Sequence, residues 1–79
     1  MADDIALIFG KALRRLRLAA GLTQEELGFQ ANLQRKYISS LELGEKQPSL
    51  VTIFKLGAAL NIKPGRLLDC MDNDTEGLS

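Results

Sequence analysis

Histidine and tryptophan are absent from this 79-residue chain, and cysteine occurs only once, as Cys70. The missing histidine removes the commonest general base and metal ligand. A single cysteine cannot form an internal disulfide, and no histidine is present to activate it or to share a metal with it. A phosphate-cradling glycine loop and a nucleophile paired with a base are lacking too. We therefore interpret Cys70 as a bystander and expect no metal, no cofactor and no enzymatic activity.

Long apolar runs and a cationic leader are also lacking. No stretch approaches the roughly 20 apolar residues that a membrane span needs, and the start, with Asp3 and Asp4, does not resemble a secretion signal. These features predict a cytoplasmic protein that makes no contact with a membrane. Aromatic residues are only 5% of the chain whereas 46% is hydrophobic, so a single helical domain with an aliphatic core is expected.

Net charge is zero for the whole chain but not for its parts. Ten cations balance ten acids. All ten cations lie between Lys11 and Arg66, where only four carboxylates accompany them, so this segment carries a charge of +6. The other six acids lie near the two ends. The distribution favours a basic surface flanked by acidic ends, with a mixed, solvated surface as the alternative.

The hydrophobic pattern predicts five helices and no strands. Helical spacing of apolar residues covers residues 4–20, the segment after Thr23, and residues 34–43, 50–60 and 64–71. The helices are separated by residues that tolerate left-handed backbone, namely Gly21, Asn32, Gly44 and Asn61. Ser49 is placed to cap the fourth helix, and Pro64 to begin the fifth. We expect residues 1–71 to form the domain and residues 72–79 to form a mobile acidic tail.

The stretch from Leu22 to Gly44 carries the strongest local signals. Thr23 and Glu26 have the spacing of a capping box, and Leu22 can pack on Leu27 as a hydrophobic staple. In the following helix, Ile38 and Leu41 point one way. The opposite stripe has the spacing i, i+3, i+4 and i+7 and lies beside Arg35; its members are Lys36, Ser39, Ser40 and Leu43. Two cations and two small hydroxyl side chains on one face predict a surface that can approach a ligand closely.

Four strings in this order resemble the helix-turn-helix domain of the Cro/phage-repressor family: LTQEEL at 22–27, YIS at 37–39, LELG at 41–44 and PSL at 48–50. The match covers roughly residues 9–68. The resemblance implies an all-α, compact five-helix lambda-repressor-like DNA-binding domain, with the helix-turn-helix formed by helices 2 and 3. Within the family, the chain is most similar to the small controller proteins of restriction-modification systems.

The resemblance also implies roles for individual residues. The second helix of the motif enters the major groove, and its base-reading places are occupied by Arg35, Lys36, Ser39 and Ser40. Lys36 could equally bind phosphate, and Leu43 could contact a sugar or a thymine methyl. The candidates for phosphate contacts are Gln24, Gln34, Tyr37 and Lys46, with packing as the alternative role of Tyr37. Arg17 is expected to pair with Glu42 and so to join the first helix to the reading helix.

Three residues depart from the family pattern: Asn32 replaces the usual turn glycine, Gln34 the usual small hydroxyl cap, and Lys63 the usual cap of the last helix. One unit reads few base pairs, so a homodimer on a pseudo-palindromic operator is expected. The candidate dimer face comprises Leu67, Leu68, Met71, Val51 and Phe54, about half of which could instead complete the core of the monomer. The function implied is an autoregulatory, sequence-specific transcriptional regulator, either a repressor or a restriction-modification controller, with no evident small-molecule effector. A module that binds a protein partner, such as an antitoxin or antirepressor, is the alternative.

Overall fold

The computed structural model describes residues 2–71, which form five helices and no strands: α1 Ala2–Ala19, α2 Gln24–Ala31, α3 Arg35–Glu42, α4 Leu50–Leu60 and α5 Pro64–Asp69. The predicted fold class is confirmed, and the predicted helix boundaries differ from these by one or two residues. The predicted acidic tail, residues 72–79, lies outside the described residues. Within residues 2–71, no helix combines the length and the apolarity needed to cross a bilayer.

The ends of the helices are set by their own neighbouring residues. Thr23 Oγ1 accepts a hydrogen bond from the Glu26 backbone N–H at 3.0 Å, and Glu26 Oε1 accepts one from the Thr23 N–H at 2.8 Å. The predicted capping box is therefore present at the start of α2. The Ser49 hydroxyl caps α4 in the same way. Asn32 and Asn61 both have φ of 57°, the left-handed conformation predicted for the ends of α2 and α4.

The core is one aliphatic cluster to which every helix contributes. α1 packs against α3 and α5, α2 against α3 and α4, and α4 against α5. The buried residues of the cluster are Phe9, Ala12, Leu13, Leu27, Ala31, Ile38, Leu41, Ile53, Leu56, Leu60, Leu67 and Met71. Enclosing these side chains supplies the main stabilisation, since each fully buried aliphatic side chain contributes about 1.5–3 kcal/mol.

The helical spacing of apolar residues also places Ile5, Ala20 and Leu50 on the apolar faces of the first and fourth helices, but all three are exposed. Ile5 and Leu50 retain 42% and 75% of their accessible surface, and Ala20 is exposed as well. Ile5 and Leu50 lie in the first turns of their helices and Ala20 follows the end of α1, positions that neighbouring helices do not cover. Ala6 is buried instead. The apolar stripe of α1 is therefore rotated by one residue near its N-terminus from the one predicted.

Gly10 sets the distance between α1 and α3. A Cβ atom at this position would overlap the carbonyl oxygen of Leu41 and would lie 2.5 Å from that of Glu42. The backbone of α1 therefore lies directly against the last turn of α3. Gly10 therefore permits the close packing of α1 on α3, and this approach orients the pair α2–α3 on the rest of the domain.

Candidate nucleic-acid interface

α3 presents a polar, basic face away from the core. Ile38 and Leu41 are fully buried on its inner side. On the outer side Arg35 and Lys36 are exposed at the first turn. Ser39 and Ser40 are half-buried one turn later, and Leu43, just past the helix, is 61% exposed. The structure thus brings the four predicted base-reading residues onto one side of a short helix. Two long cations stand at its start, and small side chains follow.

The start of α3 has no side-chain cap. Gln34 occupies the capping position with extended backbone, at φ −73° and ψ 145°, and its side chain makes no capping hydrogen bond. Gln34 is exposed, so its amide remains available to a ligand at the same end of the helix as Arg35. The departure from a small hydroxyl cap therefore replaces an internal contact with an outward-facing polar group.

A buried ion pair joins α1 to the end of α3. Arg17 Nε and Nη2 donate to the two carboxylate oxygens of Glu42, at 2.6 Å and 3.0 Å. Arg17 Nη1 also donates to the Leu22 carbonyl oxygen at 2.8 Å, just before α2 begins. The hydrogen bond to Glu42 raises the pKa of the Arg17 guanidinium above its ordinary value, although burial acts in the opposite direction. One guanidinium therefore holds the motif on α1 at two points.

Gln24, the first residue of α2, belongs to the same network. Its Nε2 donates to Glu42 Oε1 at 3.1 Å. An open concavity at this end of α2 is lined by Arg17, Thr23, Gln24, Glu25 and Arg35. Gln24, a predicted phosphate contact, and Arg35, a predicted base contact, therefore border one surface depression, although 11 residues separate them in the sequence.

Tyr37 links α3 to α4. Its hydroxyl lies 3.2 Å from Thr52 Oγ1, and the Ser49 hydroxyl donates to the same oxygen at 3.1 Å. The ring is half-buried, and Lys46 Nζ lies 5.9 Å from its centroid. This distance is within the range of a cation–π contact. The Tyr37 hydroxyl is thus engaged inside the fold, whereas Lys46 stays exposed at the edge of the candidate interface.

The candidate dimer face divides into two groups. Leu67 and Met71 are 0% and 8% exposed and belong to the core of the monomer, so their assignment to a dimer face is wrong. They turn inward because α5 packs on α1 and α4. Val51, Phe54 and Leu68 are 64%, 62% and 47% exposed. These three side chains remain as candidates for a contact between subunits.

Three features of the helix-turn-helix and its neighbour α4 were not predicted from the sequence. The bond from Gln24 to Glu42 joins residues 18 positions apart, and no local pattern signals it. Thr52 is buried within a strongly apolar helix, where a lone hydroxyl could have indicated a polar partner. A Cβ atom at Gly28 would lie 2.6 Å from the Leu33 carbonyl oxygen, so the turn needs a glycine there. A glycine inside a helix one turn before a left-handed Asn32 was the available signal.

Comparison with known proteins gives a consistent result. A family model described as helix-turn-helix matches residues 13–67. Control protein C.BamHI of Bacillus amyloliquefaciens is 41% identical over 70 residues, which span 87% of this chain and 86% of that protein. Among solved structures, the restriction-modification controller protein C.AhdI of Aeromonas hydrophila is 47% identical with a TM-score of 0.77, and the match covers 78% of this chain and 94% of that one. The clp gene regulator ClgR of Corynebacterium glutamicum is 27% identical with a TM-score of 0.84, over 90% and 76% of the two chains.

Proposed function

This chain belongs to the helix-turn-helix family of DNA-binding transcription regulators, and we propose that it binds a pseudo-palindromic operator as a homodimer. In this proposal it is a restriction-modification controller that acts on its own promoter in the cytoplasm, without enzymatic activity. The observation that carries the proposal is the exposed basic start of α3, where Arg35 borders the same depression as Gln24 at the start of α2. The two elements can therefore meet one DNA duplex together.

Base reading is assigned to the outer face of α3. An α-helix fits the major groove of B-DNA, and a bidentate arginine–guanine contact contributes about 1–3 kcal/mol of discrimination. Arg35 is exposed at the first turn and is the strongest candidate for that contact. Lys36 is the second cation there and can reach either a base or a phosphate. Ser39 and Ser40 allow close approach because they are small and already half-buried.

Binding of the DNA backbone is assigned to residues around this face. Gln24 and Gln34 stand at the starts of α2 and α3, where backbone N–H groups and the helix dipole favour an anion. Lys46 adds an exposed cation beyond the end of α3. Segment 11–66 carries a charge of +6, so affinity should fall steeply as salt rises, because each neutralised phosphate releases counterions.

The homodimer is supported by a small apolar surface outside the motif. Val51, Phe54 and Leu68 are exposed, and the neighbouring Leu50 is 75% exposed. Leu50, Val51 and Phe54 are neighbours on the surface of α4, and clustered exposed apolar side chains are typical of protein contact sites. A homodimer on a pseudo-palindromic operator places its two reading helices, here the two copies of α3, on half-sites about 34 Å apart.

The assignment to restriction-modification control is supported by two relatives. The protein that is 41% identical to this chain is a control protein, and the solved structure that is 47% identical is a restriction-modification controller. Both matches cover more than three quarters of this chain. The target that follows from this assignment is the region upstream of the chain's own gene.

Fluorescence anisotropy tests the proposal directly. Labelled duplexes from the region upstream of the gene are titrated with protein at two salt concentrations, with scrambled duplexes as controls. We expect saturable binding at least ~10³-fold tighter than binding to scrambled DNA, with a steep salt dependence. Arg35→Ala should abolish most of this preference. Lys63→Ala, which removes one exposed cation outside the helix-turn-helix unit, should retain it.

Equal and weak binding to both kinds of duplex would overturn the proposal. A pull-down would then test the protein-partner alternative. A reporter fused to the same upstream region checks autoregulation, because expression of the chain should change transcription from that promoter and the Arg35→Ala variant should not.

A further inference from the structure

A single carboxylate at the end of α3 holds two other helices. Glu42 Oε2 accepts from Arg17 Nε at 2.6 Å. Glu42 Oε1 accepts from Arg17 Nη2 at 3.0 Å and from Gln24 Nε2 at 3.1 Å. Arg17 lies on α1, and Gln24 is the first residue of α2. Glu42 is 7% exposed, so these bonds form in a site where water does not compete freely.

The contact fixes the direction of the Gln24 amide. A glutamine amide has two N–H donors and one carbonyl acceptor. One donor is used by Glu42, which leaves the second donor and the oxygen for another partner. Gln24 is half-buried at the edge of the concavity that Arg35 also lines. Without the bond to Glu42, a long and flexible side chain at the start of a helix would sample several rotamers.

We propose that Glu42 is a positioning residue for DNA binding, because it orients Gln24 so that the free N–H of its amide donates to a backbone phosphate beside the base-reading Arg35. This inference rests on the function proposed above. Arg17 has a second part in it: its positive charge neutralises the Glu42 carboxylate, which would otherwise repel a polyanion. The ion pair therefore makes it possible to use an acidic residue at a DNA-binding surface.

A purely structural role of Glu42 makes a different prediction. If Glu42 only ties α1 to α3, Glu42 and Arg17 variants alter DNA affinity together, and neither changes the contribution of Gln24. If Glu42 orients Gln24, the contribution of Gln24 depends on Glu42 but not on the exact geometry of the bond to Arg17. Arg17→Lys is the matched control, because it keeps a cation beside Glu42 and leaves the Gln24 contact in place.

The experiment measures the effect of Gln24→Ala on operator affinity in three backgrounds: the unmodified chain, Glu42→Leu and Arg17→Lys. We expect about a tenfold loss in the unmodified chain and in Arg17→Lys, as for a lost hydrogen bond to a charged group. In Glu42→Leu, which has no acceptor, we expect a loss of about twofold or less, since the Gln24 amide is no longer held. Glutamine carries no charge, so Gln24→Ala should leave the salt dependence of binding unchanged. Circular dichroism confirms that each variant is folded at the assay temperature.

An equal loss in all three backgrounds, or no loss in any of them, would overturn the inference. A lack of specific binding by the unmodified chain would instead refute the proposed function, so the two failures are distinguishable. NMR of the unmodified chain gives a test that needs no variant. One proton of the Gln24 amide should exchange slowly with solvent in the free protein, and the other should shift when operator DNA is added. Rapid exchange of both protons in the free protein would contradict the proposed orientation.

Discussion

Gly10→Ala tests how α1 holds the helix-turn-helix. Gly10 lies inside α1, where alanine is favoured over glycine by up to ~1 kcal/mol of helix propensity. Helix propensity alone therefore predicts that the Gly10→Ala variant is more stable than the unmodified chain. The structure predicts the opposite, because a Cβ atom would overlap the Leu41 carbonyl oxygen and lie 2.5 Å from that of Glu42.

The magnitude follows from this distance. Real Cβ atoms essentially never approach a heavy atom more closely than 3.0 Å, so α1 and α3 must separate by at least the 0.5 Å between 2.5 Å and 3.0 Å. The atoms that block the Cβ belong to the backbone of a packed helix and cannot rotate away. A gap of about 0.5–1 Å forfeits a quarter to a half of each dispersion contact across the interface. Overpacking of this kind costs about 1–3 kcal/mol, which outweighs the gain in propensity.

The assay is urea unfolding followed by far-UV circular dichroism, with Gly65→Ala as the control. Gly65 lies in α5 with no atom within 4 Å of the added Cβ, so this variant should be as stable as the unmodified chain or up to ~1 kcal/mol more stable. Gly10→Ala should be less stable by about 1–2 kcal/mol, which corresponds to a melting temperature lower by roughly 4–8 °C per kcal/mol. A Gly10→Ala variant as stable as Gly65→Ala would refute the reasoning.

Three further substitutions test other contacts. Arg17→Ala leaves the buried Glu42 carboxylate without its cation and should lower the free energy of unfolding by about 3–5 kcal/mol in urea titrations; an unchanged melting temperature would contradict this. Thr52→Val removes the hydroxyl that Tyr37 and the α4 cap share and should cost about 1–3 kcal/mol in the same assay. Phe54→Asp places a charge on the exposed apolar face of α4 and should yield a folded monomer in sedimentation velocity with weaker operator binding; an intact dimer would remove Phe54 from the interface.

Local structure was predictable because its determinants lie within a few residues of each other. The capping box of Thr23 and Glu26, and the left-handed Asn32 and Asn61, depend only on spacing and on side-chain chemistry. Gln34 shows the limit of this reasoning. The sequence indicated that the usual small cap was missing, but only the structure shows an exposed side chain that makes no capping bond.

Burial of apolar residues was predictable only in part, since a helical stripe does not show how far the neighbouring helices extend. Leu50 and Leu67 illustrate the two errors. Leu50 was expected in the core and lies exposed at the start of α4, whereas Leu67 was placed on a dimer face and is fully buried. Both residues fit an amphipathic pattern equally well. Leu67 is enclosed because α5 packs on α1 and α4, whereas Leu50 lies exposed in the first turn of α4.

The placement of an acidic residue at the end of α3 has a physical rationale. Burying a carboxylate beside a DNA-binding surface costs desolvation energy, and its charge repels phosphates. Apolar residues of similar size could join α1 to α3 without making the protein less stable. Arg17 removes the repulsion, and Glu42 offers what an apolar residue cannot, namely an acceptor for the Gln24 amide. The ion pair is therefore better explained by orientation of a DNA contact than by stability alone. Gln24 and Glu42 should for this reason act as one unit in operator binding, while Gly10 acts on stability through packing.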